Sequence, residues 1–365
     1  MYRFSFQRPL IALSLGLVTH SVSAALQPMA EAPLAGDTEL HCHFNRDAST
    51  DCTTTYHYTI LAPNGREMLS RIDFDYSEGD TFEVISAQST QPGARPIALD
   101  AAQIDTRTAP NPDQGFRRDK QTSLAFPNLR VGTQIRYTVR EHRAAKPLMT
   151  QFHYALTFGP SAVRRDHVKA RFTAERPIQW RSELFDDFSV TPSADGKTLD
   201  VVQKTPIYLN YINESPGAAL MRTPRLEVGS AMDRQAYFGD FAQRYNQILG
   251  AQLPAQSAAA VAAARGLPPA EQVAALMQHI NDHYRYLGDW RATERGYVPF
   301  NLAEIEQHGY GDCKDLAILL TAMLKASGIK AETAWVSRGE VVDSLLIPGT
   351  NAPNHAIVRA EVDGQ

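Results

Sequence analysis

The sequence predicts an α+β protein in which an N-terminal antiparallel β-sandwich precedes a smaller α+β core. Three observations carry that prediction. From about residue 38 to 210, short β-branched and aromatic segments alternate with Gly, Pro and Asp punctuation. After a junction near 215–235, broken by Pro216, Gly217, Pro224 and Gly229, the composition turns helix-prone. Beyond Gly328 strand patterns return.

The stretch Thr53–Leu61 is β-branched and aromatic and is closed by Pro63-Asn64-Gly65, which reads as a turn. Arg71–Tyr76 alternates apolar with charged residues, as a half-buried strand should. Thr81–Ile85, Gln134–Val139 and His167–Phe172 repeat the pattern, and this spacing of strands and turns predicts the sandwich. The segment Asp105–Lys120, rich in Pro, Asp and Arg, is expected to be a long mobile loop. Trp180, Tyr208 and Tyr211 read as core aromatics. In the second half, Ala255–Arg265 is an Ala-rich helix ended by Gly266. Pro268-Pro269 starts the next helix, whose Val273, Leu276, Met277, Ile280 and Tyr284 share one face. Ala331–Ser337, Val341–Ile347 and His355–Val362 complete the expected elements. The expected division is a β-rich domain over 38–225 and a core over 230–365.

Composition sets bounds on function. The chain is 43% hydrophobic and 21% charged, with a formal net charge of −4 and a pI near 6.3. It has no basic stripe, so nothing points to nucleic acid as a partner. Arg3 and Arg8 precede an apolar run, Leu10–Val18, and Val22-Ser23-Ala24-Ala25 supplies small residues for cleavage after Ala24. That order is a secretory signal peptide over 1–24. The apolar run falls well short of the roughly 20 residues that span a bilayer. The mature chain is expected in the periplasm or secreted, without a transmembrane segment. Of the three cysteines, Cys42 and Cys52 lie close together and Cys313 is remote. In an oxidising compartment the near pair reads as a disulfide and Cys313 as a candidate reactive thiol. His41, Cys42, His43, Asp51, Cys52 and His57 are all zinc-capable, but their spacing matches no standard structural zinc pattern.

Chemistry concentrates at Gly309-Tyr310-Gly311-Asp312-Cys313-Lys314-Asp315. Leu316, Leu319, Leu320, Met323 and Leu324 form a helical stripe behind it. Asp312 fits the N-cap and Asp315 the acid of a capping box. Cys313 then stands at the first helical position, where the helix dipole favours a thiolate and free backbone N–H groups can stabilise an oxyanion. Among eleven histidines, His279 and His283 read as a solvated helix face and His308 as part of a polar approach. His355 follows the turn Asn351-Ala352-Pro353-Asn354 and opens a strand. A base at a strand end facing a thiol at a helix start is the arrangement of papain-like enzymes.

Tyr310–Asp315, the apolar helix ending at Gly328-Ile329, and Asn354–Val358 closely resemble the transglutaminase-like core. Gly296-Tyr297-Val298-Pro299 matches the family's G-Y-x-P segment. The strand pair at 71–85 and the Phe126–Gly132 turn more loosely resemble the β-rich domain called DUF3857, which precedes that core in a bacterial branch. The resemblance implies a papain-like α+β core with a Cys-His-Asp triad: Cys313 the nucleophile, His355 the base. No metal or organic cofactor is implied. Trp290 and Tyr297 are the candidates for the oxyanion-hole side chain. The family's acid lies on the strand after the His strand, whereas Val362-Asp363-Gly364-Gln365 looks like the hairpin turn before it. The third triad member is therefore expected beyond Gln365. The implied activity is hydrolysis of peptide, isopeptide or other amide bonds of cell-envelope proteins or peptides through a Cys thioester. Protein crosslinking by the same residues, and a non-catalytic binding or scaffold role, are the alternatives.

Overall fold

The computed structural model describes residues 25–110, 115–212, 214–339, 345–350, 353–362 and 364. The expected signal peptide, most of the expected 341–347 strand, and Asp363 lie outside these residues.

An eight-stranded sheet forms the backbone of the first domain, in the order Phe188–Pro192, Thr198–Gln203, Val163–Ala174, Leu34–Phe44, Thr50–Ile60, Gln134–Arg143, Thr81–Thr90 and Ile97–Ala98. Its strands alternate as their sequences require. Leu40, Cys42 and Phe44 are buried while Glu39 and His41 are exposed; Ile135, Tyr137 and Val139 are buried while Gln134 and Arg136 are exposed. Two three-stranded sheets cover the apolar face side by side. One, of His153–Thr157, Arg225–Gly229 and Gln179–Glu183, packs Phe152, Leu226 and Val228 against Phe44, Phe172 and Val201. The other, of Arg71–Tyr76, Lys120–Ala125 and Ile104–Thr108, packs Leu124, Ile72 and Phe74 against Ile60, Ile135 and Tyr137. Each fully buried side chain of this size contributes about 1.5–3 kcal/mol. Cys42 faces Cys52 across neighbouring strands, and the two are joined by a disulfide.

Several expectations change. One pairing of the sandwich is parallel, Leu34–Phe44 against Val163–Ala174. Parallel neighbours need a long crossover, and the intervening chain supplies one by building strands elsewhere. Pro63-Asn64-Gly65 is the start of a short helix, Pro63–Ser70, with Pro63 in the first turn. The segment expected to be a mobile loop holds the strand Ile104–Thr108 and the two-residue strand Gly115–Phe116. Ile104–Thr108 pairs with the nearby Lys120–Ala125 despite its polar composition, whereas Gly115–Phe116 was hidden because its partner, Gly288–Asp289, is remote in sequence.

In the core, the helices Arg234–Leu249, Ala255–Ala264, Pro269–His283 and Leu302–His308 surround the helix Cys313–Ala326. The first of these has no counterpart in the sequence reading. Its buried Tyr237, Phe241, Tyr245 and Ile248 lie at helical spacing, and Asp233 caps it by accepting the Ala236 N–H at 2.9 Å. The strands Ala331–Val336 and His355–Ala360 pair antiparallel beside the Cys313 helix. No helix among the described residues is long and apolar enough to cross a membrane.

Candidate active site

The start of the Cys313 helix is built from buried charge. Asp312 is the N-cap; its Oδ1 accepts the Lys314 N–H at 3.2 Å and its Oδ2 binds the Lys314 ammonium. Asp315 returns the cap, its Oδ2 accepting the Asp312 N–H at 3.0 Å. Asp315 is fully buried and also accepts the Phe300 N–H at 2.8 Å and a bidentate pair from Arg295, at 3.1 and 2.7 Å. Arg295 is buried as well, donates to the carbonyls of Asp289 and Val298, and stacks 3.5 Å over the Phe300 ring. Gly311 has no room for a side chain, since a Cβ there would lie 2.4 Å from the Cβ of Asp315. Burial drives the Asp312 carboxyl above its ordinary range against the opposing pull of Lys314. Both acids therefore serve the cap, as their spacing predicts.

Cys313 is the chain's one free cysteine and is partly exposed. The short strand Arg285–Tyr286 runs parallel to Tyr310–Gly311, with Tyr286 opposite Gly311 and the Leu287 N–H donating to the Gly311 carbonyl at 3.0 Å. This brings Tyr286 to the wall of the cleft beside Cys313, where the two side chains interact electrostatically. Burial and the neighbouring sulfur push Tyr286 up to about 12, so it remains a protonated donor near neutral pH.

His355 enters from the other side. It opens its strand opposite Val336, and Asn354 before it brackets Arg338. The Arg338 N–H donates to Asn354 Oδ1 at 2.7 Å, and Asn354 Nδ2 donates to the Arg338 carbonyl at 2.9 Å. Partial burial, then the Arg338 charge, hold His355 below its ordinary pKa, while Asp312 pulls the other way. Among the described residues no carboxylate hydrogen-bonds the His355 ring.

The β-rich domain also shapes the site. Gly115–Phe116 pairs with Gly288–Asp289, and the Trp290 N–H donates to the Phe116 carbonyl at 2.9 Å. Arg117 lies 4.4 Å over the Trp290 ring and Arg291 4.8 Å over that of Phe116, which interlocks the two segments. Behind the His355 loop, Glu227 accepts the N–H groups of Leu346 and Ile347 at 3.0 and 3.1 Å, and pairs with His153 at 3.2 Å.

Cys313 and His355 line one cleft of about 980 Å³, bounded by both domains. Trp290 and Tyr297, the two oxyanion candidates, line it too. The Tyr297 hydroxyl donates to the Thr350 carbonyl at 3.1 Å, so its proton is engaged away from Cys313. Tyr286, Arg338, Arg117 and Lys146 are further cleft residues that the sequence reading did not single out. Tyr286 had a weak local signal, an isolated Arg-Tyr strand doublet after a helix. The others had none, because only tertiary packing brings them to the cleft. His279 and His283 stack on each other with ring centroids 4.2 Å apart, and they do not line this cleft.

Residues 46–202 match DUF3857, a domain family of unknown function with solved structures, and residues 256–364 match the transglutaminase-like superfamily core. A solved structure from Parabacteroides distasonis, described as a candidate protease, superimposes with a TM-score of 0.70 at 16% identity. The match covers 91% of this chain and 66% of that one, so the chain spans just under two thirds of that structure's length. A structure described as a TGase aligns at 12% identity over 56% of this chain and 50% of that one, with a TM-score of 0.24. No curated protein matches the sequence.

Proposed function

We propose that this protein, whose C-terminal domain belongs to the transglutaminase-like superfamily and follows a DUF3857 domain, is a thiol-dependent amide hydrolase. The observation that carries this reading is the position of Cys313: a free thiol on the first residue of a helix whose cap is fixed by buried ion pairs, in one cleft with His355. Its sulfur attacks the carbonyl carbon of an amide while its proton passes to His355. The developing oxyanion takes hydrogen bonds from the Cys313 N–H and the Tyr286 hydroxyl. The C–N bond breaks, His355 gives the proton to the leaving amine, and a thioester remains. Water, deprotonated by His355, then releases the acid and restores the thiol.

The breadth of the cleft supports water, more than an amine, as the acceptor. The cleft is wide and lined by charged side chains of both domains, whereas crosslinking needs a site that excludes water. Export is supported by the pattern of residues 1–24 and by the Cys42–Cys52 disulfide, a bond typical of oxidising compartments. A peptide or protein of the cell envelope is the substrate class that follows. The test is alkylation of Cys313 by iodoacetamide at pH 6–7, followed by release of free acid from peptide substrates. Cys313 should react faster than free cysteine, and Cys313→Ala should abolish turnover. A thiol no faster than free cysteine would leave a non-catalytic binding role for the fold.

A further inference from the structure

Most charges in the cleft are satisfied within the protein. Glu78 pairs with Arg118 at 3.4 Å, Asp119 with Arg117 at 3.7 Å and Arg291 with Asp289 at 2.6 Å, while Asp312 binds Lys314. Arg338 and Lys146 remain. Both line the cleft, and among the described residues neither has a carboxylate partner. They come from different walls: Lys146 from the β-rich domain, where it is half-buried, and Arg338 from the core. The Arg338 backbone is fixed on both sides by Asn354, the residue before His355, and its charge acts on the His355 ring.

We propose that the cleft selects amides carrying a carboxylate near the scissile bond, and that Arg338 and Lys146 bind that carboxylate. This rests on the thiol-hydrolase reading for the reaction, though not for the anion preference itself. A cleft with a surplus of one charge concentrates ligands of the other, and a guanidinium suits a carboxylate in shape as well as charge. The arrangement also couples binding to chemistry. Arg338 is one of the groups that hold His355 below its ordinary pKa. A carboxylate on Arg338 would offset that charge, so an anionic substrate would strengthen its own general base.

The experiment uses the oxidised full chain, in which Cys313 is the free thiol. Its alkylation rates with iodoacetate, an anion, and iodoacetamide, its neutral analogue, are measured at one pH. Their ratio is compared with that for 2-mercaptoethanol. The ratio should exceed the reference on the order of tenfold. It should collapse toward the reference in Arg338→Gln/Lys146→Gln and at high salt. Circular dichroism would check that the double variant is folded. A ratio at or below the reference, or one that the double variant leaves unchanged, overturns the proposal. The absolute iodoacetamide rate separately tests Cys313 as a nucleophile, so the two failures are distinguishable. Protection of Cys313 by a peptide with an acidic side chain and amidated terminus, against a neutral peptide with a free C-terminus, tells which kind of carboxylate is preferred.

Discussion

Arg295 and Asp315 form a bidentate ion pair in the interior, with the Asp315 carboxylate also holding the Asp312 N–H at the start of the Cys313 helix. The nucleophile thus stands on a cap fixed from below by a buried charge pair, with the Lys314–Asp312 pair alongside. Breaking a buried pair strands the other charge, which is far more damaging than losing a surface bridge.

Arg295→Met should therefore destabilise the core by about 3–5 kcal/mol, and Asp315→Asn by a similar amount. Urea unfolding followed by tryptophan fluorescence measures this. Arg140→Met, which breaks an exposed pair with Glu83, should change stability by less than about 1 kcal/mol.

Tyr286 lines the cleft beside Cys313, and its hydroxyl is the second oxyanion donor of the proposed mechanism. Tyr286→Phe removes that donor and leaves the ring in place. On the proposed mechanism kcat should fall about 10²-fold with KM little changed, as expected for a donor that acts on the developing oxyanion. An unchanged kcat would exclude the hydroxyl as an oxyanion donor.

Much of this was legible before the fold was known, and the limits follow from range. Asp312, Cys313 and Asp315 are within three residues of one another, so helix periodicity and capping rules place them. The cross-strand disulfide is also short-range, with its cysteines 10 positions apart. What the sequence hid was assembled from distant parts. Gly115–Phe116 looks like loop until Gly288–Asp289 pairs with it, and Tyr297 looks like a free donor until Thr350 accepts its proton. The helix Arg234–Leu249 was missed for another reason. Its buried face is made largely of aromatic side chains, which are weak helix formers, so packing rather than propensity defines it.

Glu227 ties the β-rich domain to the loop that leads to His355. Burial favours its neutral form, but His153 and the Ile347 and Leu346 N–H groups outweigh this and hold the carboxyl below its ordinary range. A depressed carboxylate contributes stability above its unfolded pKa and loses it as pH falls through the folded one. Hydrogen exchange at Leu346 and Ile347 should therefore accelerate only at strongly acidic pH. Glu227→Gln should accelerate it already at neutral pH, because a weaker, neutral acceptor replaces the carboxylate.

The pairing of His355 with Arg338 sets the pH response of the proposed reaction. Partial burial and the Arg338 charge disfavour the imidazolium, so His355 stays neutral, and able to accept a proton, to a lower pH than an unperturbed imidazole. The acidic limb of kcat/KM, which reports groups of the free enzyme, should lie below the ordinary histidine range. Arg338→Gln removes a positive neighbour and raises the His355 pKa. With a neutral substrate, the limb should move to higher pH and activity at pH 6 should fall. An NMR titration of the His355 ring in the two proteins measures the same shift without turnover. A limb that stays fixed while the ring titration moves would mean that another group controls the rate. If both stay fixed, Arg338 exerts no electrostatic control over the base.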